Sequence, residues 1–102
     1  MTYLDELAAL IRSCLPAEAE PPAGAEDLFR LYAVLLKAKG PEVTEEDVHD
    51  AWSAWAQQTH PGHGALVPFA ELDPSAQALD TPYVHAIRRA HARWTGAVEN
   101  GV

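Results

Sequence analysis

Cysteine and positive charge are both scarce in this chain. Cys14 is the only cysteine among 102 residues, so no intramolecular disulfide can form and the thiolate-rich kind of structural zinc site has no ligands. Lys and Arg number 7 against 15 Asp and Glu, which leaves a formal charge of -8. A field of that sign repels phosphate, and no basic run is long enough to release many counterions. Non-specific nucleic-acid binding is therefore excluded, and anionic membrane surfaces are disfavoured. No apolar stretch is long enough to span a bilayer. Met1 to Cys14 is interrupted by Asp5, Glu6 and Arg12, unlike a secretory leader. With a single thiol, these features predict a cytoplasmic protein. The sequence also lacks a nucleophile elbow, a phosphate-cradling Gly-rich loop and an HExxH pair. The reading is accordingly non-enzymatic, with no catalytic residue, metal or cofactor assigned.

Apolar residues make up 48% of the chain, which at this length suits a single domain over residues 1–102 with one modest core. Thr2 caps a first helix, to residue 15, in which Leu4, Leu7, Ala8, Ile11, Cys14 and Leu15 recur at helical spacing. Within that pattern Cys14 reads as a buried, inert thiol. Residues 16–25 carry three prolines and a glycine without periodicity, which predicts a semi-extended connector that lets the first helix pack loosely or swap between protomers.

From Glu26 to Lys39 a second helix is apolar around most of its circumference, as a central helix is. Lys37 and Lys39 suit its C-terminal dipole, Gly40 supplies the terminating residue, and Pro41 stops continuation. Thr44 with Asp47 forms a capping arrangement for a third helix to about Gln58, whose inward stripe is Val48, Ala51, Trp52 and Trp55. Leu66 to Phe69 is an apolar run interrupted by proline, which predicts an extended segment lying over the helices rather than a central strand. Asp73-Pro74 starts a short helix to Ala78 or Leu79. Thr81-Pro82 repeats the device for a last helix to about Thr95, ended by Gly96, with residues 96–102 as a tail. Val84, Ile87, His91 and Trp94 share one face of that helix, and Arg88, Arg89 and Arg93 give it a cationic side. Glu42, Glu45, Glu46, Asp47 and Asp50 form an acidic cluster in mid-chain. The fold class is mostly all-α: a compact bundle of four to five helices crossed by the Leu-Val-Pro-Phe segment.

Five histidines invite a metal hypothesis, and His60-Pro61-Gly62-His63 holds two of them. Four ligands of matched geometry are wanting, which weighs against it. Asp47 and Asp50 flank His49 without sharing its helix face, whereas Glu45 lies one turn before it and is placed to orient it. A binding role uses these residues better. Trp52, Trp55, Phe69 and Tyr83 supply apolar walls, while His49, His63 and the backbone from Leu66 to Pro68 supply directional polar contacts. The competing reading makes the same aromatics plain core.

Val48-His49-Asp50-Ala51-Trp52, then His63-Gly64-Ala65-Leu66-Val67-Pro68-Phe69-Ala70-Glu71-Leu72, then Asp80-Thr81-Pro82-Tyr83-Val84 leading to Ile87, together resemble the ryanodine receptor repeat (RyR) domain. The resemblance covers residues 43–93 and is to a trimmed form, as in small actinobacterial and actinophage proteins. The stretch between Trp52 and Leu66 is shorter than in the usual repeat and lacks its Gly-Trp-x-Tyr-Gly hairpin. Phe69 stands where a tyrosine is frequent. The resemblance implies a compact helical module that binds a small, nucleotide-like ligand or a peptide, here in a cleft between the third helix and residues 66–69. The alternative is a structural or protein-interaction module, such as a helical homodimer or an accessory to a phage or host protein, with no small ligand.

Overall fold

The computed structural model describes residues 2–100. It contains α1 (Tyr3–Ser13), α2 (Glu26–Lys39), α3 (Glu45–Thr59), α4 (Pro74–Ala78) and α5 (Thr81–Asn100), with 3-10 turns at Gly40–Glu42 and Phe69–Glu71. The fold is mostly α, and no strand occurs among the described residues.

Local chemistry sets most boundaries. At α1, Thr2 Oγ1 accepts from the Asp5 amide and the Asp5 carboxylate accepts from the Thr2 amide. Thr44 and Asp47 repeat this reciprocal arrangement at α3, with Lys39 Nζ donating to Asp47 Oδ1 at 2.9 Å. Each box satisfies amides that the first helical turn leaves without partners. Gly40 ends α2 with φ 54° and ψ -126°, a conformation in which a side chain is strained. His91 Nε2 lies only 2.8 Å from where a Cβ would project, so Gly40 also permits α5 to pass close by.

The core is centred on α2, which buries Leu28, Phe29, Tyr32, Ala33 and Leu36. Around it stand Leu7, Ala8 and Ile11 from α1 with Cys14 just after it, Val48, Trp55 and Ala56 from α3, and Val84, Ala86, Ile87 and Ala90 from α5. Burying each large aliphatic side chain contributes about 1.5–3 kcal/mol before chain entropy is opposed. The first helix is thus an integral layer and not a loosely held one. Arg89 Nη1 donates to the Cys14 carbonyl and Arg93 Nη1 to Cys14 Sγ, while Arg88 Nη2 donates to the Val43 carbonyl at 2.7 Å. The arginines expected to form a cationic side instead tie α5 to the end of α1 and to the turn before α3.

Two expectations at α5 are corrected. The helix begins at Thr81 itself, with the Asp80 carbonyl accepting from the Tyr83 and Val84 amides. The Thr81 hydroxyl does not cap it and donates to Glu45 Oε2 at 3.2 Å. Gly96 does not end the helix, which runs on to Asn100. A glycine inside a helix costs about 1 kcal/mol relative to alanine but does not break it, and among the described residues positive φ is confined to Gly24 and Gly40. The tail foreseen for residues 96–102 is helical through residue 100, and its last part, 101–102, lies outside the described residues.

Candidate ligand-binding cleft

His49 is the pivot of the site. It projects from α3 and is 3% exposed, and its Nε2 lies 2.6 Å from the Val67 carbonyl oxygen. A carbonyl only accepts, so the bond places a proton on Nε2 and fixes the tautomer. The Trp52 ring stacks on this imidazole at 5.6 Å between centroids with 24° between planes. His63 meets the same tryptophan edge-on at 5.0 Å, and its Nδ1 accepts from the Ala65 amide at 3.0 Å. That acceptor role leaves Nε2 as the protonated nitrogen of a neutral His63. A ladder of three aromatic rings therefore runs from the interior of α3 to the 60–65 loop.

The His49 bond also fastens the 66–68 segment onto α3. Gln77 Nε2 donates to the Phe69 carbonyl at 2.9 Å and fastens the next turn to α4. Between α3 and this segment the surface keeps a hollow of about 450 Å³, lined by Asp50, Ser53 and Gln57 on one side and Leu66, Val67 and Pro68 on the other, with no aromatic ring in its lining. The aromatic and imidazole groups gather instead on a second recess of about 450 Å³, between α3, α4 and the connector. His49, Trp52, His63 and Tyr83 all line it. Leu28 and Tyr32 of α2 supply its floor, Leu72, Ala76 and Leu79 one side, and Glu20 and Pro22 of the connector another. Asp80 stands at its base, just before α5.

The remaining predicted residues lie elsewhere. Trp55 is buried at 7% exposure with the His60 ring edge-on at 5.7 Å, so it is core. Leu66 and Pro68 border a separate surface hollow with Asp50 and Ser53. Phe69 sits behind His49 at 6.0 Å and contributes to a broader hollow of about 760 Å³, beside Glu45, Gln77 and Thr81, that lacks an aromatic wall apart from Phe69 itself. The two loop histidines turn to different tryptophans. Among the described residues no three His, Cys, Asp or Glu side chains gather as a metal would require.

The electrostatics of the cleft are uneven. Burial pushes the Asp80 carboxyl up to about 6, with the imidazole of His49 pulling against this and the charge of Glu45 adding to it. Burial raises the Tyr83 phenol, the neighbouring Asp80 charge raises it further, and Arg12 opposes the rise. Tyr32 is raised more strongly, by burial first and then by Tyr83 and Asp80. Both phenols remain protonated donors near neutral pH. Their rings lie 5.6 Å apart and, with Phe29, form a continuous aromatic cluster under the cleft.

Several of these residues escape a reading of the sequence. Tyr32 stands in an apolar helical stripe, where its hydroxyl is the only mark of another role. Asp80 reads as a residue before a helix, and Glu20 and Pro22 as linker. Nothing local brings the connector to α3 and α4.

Residues 2–92 match the family described as a domain of unknown function (DUF7701). Neither a curated protein nor a solved structure matches the chain.

Proposed function

The chain belongs to the DUF7701 family, and we propose that it is a non-enzymatic module that binds a small molecule in the cleft between α3, α4 and the connector. The observation that carries this reading is the convergence of His49, Trp52, His63, Tyr83, Tyr32 and Asp80 on one recess of about 450 Å³. Ligand sites are commonly of this size, apolar and aromatic over most of their surface with a few polar groups placed for direction. His49 Nε2 and His63 Nδ1 are both committed to backbone partners, which favours positioning of the aromatic ladder over proton transfer to a substrate. The RyR-like arrangement of His49, Trp52 and the Leu66 to Phe69 segment supports such a module: the histidine lines the recess and, through Val67, holds the segment that joins Ala65 to Leu72 of the lining.

The test is a titration followed by amide and indole resonances, using tyrosol, tyramine and AMP as neutral, cationic and nucleotide probes. At least one probe should shift the Trp52 indole and the Ala65 and Asp80 amides in a saturable way, and Trp52→Ala should weaken that probe about tenfold while keeping the helical circular dichroism. Absence of saturable shifts at these positions with all three probes would overturn the reading.

A further inference from the structure

We infer that the cleft is built for an organic cation: an ammonium or similar head beside Asp80, flanked by the rings of Tyr32, Tyr83 and Trp52, with an apolar body lying toward Leu72 and Leu79. This rests on the small-molecule reading above and specifies the class of ligand. Its first support is the balance of charge around the recess. Asp80 and Glu20 line it, whereas no Lys or Arg does. Four of the five arginines are engaged elsewhere: Arg88 and Arg89 hold carbonyls, Arg93 the Cys14 sulfur, and Arg30 pairs with Asp5 and Asp27. Arg12, over the Phe29 ring at 5.1 Å, is felt at Tyr83 but does not line the recess.

The second support is the state of Asp80. Its carboxylate is half-buried, yet among the described residues it has neither an ion-pair partner nor a side-chain hydrogen bond. Removing a carboxylate from water without a counter-charge is unfavourable, and a bound cation relieves it. The Tyr83 and Trp52 rings line the same recess and give a head group of that sign aromatic surroundings instead of a competing cation. A phosphate or carboxylate ligand would meet Asp80 and Glu20 with no opposing charge in the lining. The nucleotide class therefore fits this recess less well than an amine.

Tyramine, tyrosol and 4-hydroxyphenylacetate share one ring and differ in the charge at the end of a short chain, so they isolate the contribution of charge. Titrated into the intact chain and read at the Trp52 indole and the Asp80 amide, tyramine should bind at least tenfold more tightly than tyrosol, and 4-hydroxyphenylacetate most weakly. Asp80→Asn should collapse the ratio between tyramine and tyrosol affinities to about one, and Glu20→Gln should narrow it by less. Equal or tighter binding of tyrosol, 4-hydroxyphenylacetate or AMP at these resonances would overturn the cation and leave the small-molecule reading intact. Silence from every probe would remove both. The comparison of ligands on the unaltered protein does not depend on whether either variant folds.

Discussion

Asp80 is expected to act in opposite directions on folding and on the proposed capture of a cation, and pH separates the two. Its carboxyl titrates at about 6 in the folded chain, against about 3.9 for an aspartate in an unfolded one. Between those values the folded chain holds a proton that the unfolded chain has released, so stability falls as pH rises from about 4 to about 6. Asp80→Asn should abolish this contribution. Its melting temperature should match the parent near pH 4 and exceed it at pH 7, which thermal denaturation across that range would read directly. Capture of a cation has the reverse sign and should weaken as pH drops through about 6 and Asp80 gains its proton. Glu45 and His49 of α3, Tyr32 of α2, Tyr83 of α5, Glu20 and His63 are the other titratable groups facing this region; a proton taken up by either imidazole adds positive charge and acts in the same direction. Asp5 behaves conversely. The Thr2 amide and then Arg30 hold it down to about 2, so its contribution is present above its ordinary value and is lost as pH falls toward about 2.

At the scale of elements, the boundaries legible in the sequence were those fixed by neighbours a turn away. Thr2 with Asp5, Thr44 with Asp47, Asp73 before Pro74, and Gly40 after Lys39 each close a helix end with groups adjacent in the chain. Thr81 misled because its hydroxyl finds Glu45, thirty-six positions earlier, instead of its own helix. Gly96 misled because a terminating glycine is needed only where φ turns positive. Leu66 to Phe69 reads as an extended piece, and the structure corrects its end, since Phe69 opens a 3-10 turn to Glu71; the partner that seats the segment is not legible. That partner is His49, through one bond to Val67. Replacing His49 with Phe keeps an aromatic ring and removes the bond, and should cost about 1 kcal/mol. Thermal melts should show the loss, and hydrogen exchange should accelerate at the amides of residues 66–69 while those of α2 stay protected. Uniform acceleration across the chain would mean that His49 supports the whole core and not this segment alone.

For the molecule as a whole, the wide apolar surface of α2 invited a homodimer, and the folded chain shows how that surface is used. Leu28, Phe29, Tyr32 and Leu36 are enclosed by α1, α3 and α5, and Val34 is the one large hydrophobic of α2 left exposed, at 50%. The other exposed large hydrophobics among the described residues, Tyr3, Val67 and Leu79, belong to three different parts of the chain. Lys37 at the end of α2 lies over both Tyr3 and Trp94, closing that end of the bundle with one cation between two rings. Scattered apolar residues are ordinary on a monomer, whereas an obligate dimer presents a continuous patch. Light scattering should therefore give a monomer mass that does not change over a hundredfold range of concentration. A concentration-dependent doubling would favour the interaction-module reading. The cleft was only half visible in the sequence for a related reason: His49, Trp52, His63 and Tyr83 lie in the motif-rich half, while Glu20, Pro22 and Tyr32 reach the same recess only when the three long helices have packed.

The connector, with its turns at residues 17–18 and 23–25, joins α1 to α2 and at the same time supplies Glu20 and Pro22 to the cleft. Loops of this kind ordinarily accept insertions and deletions freely. Here a change of one residue in length would leave both helices and their packing intact while displacing a carboxylate and a proline relative to Asp80. Variation in connector length among related chains would thus alter the shape of the recess without altering the bundle, so that, if the recess holds the proposed ligand, the least regular stretch of the molecule is the part through which selection can retune the fit.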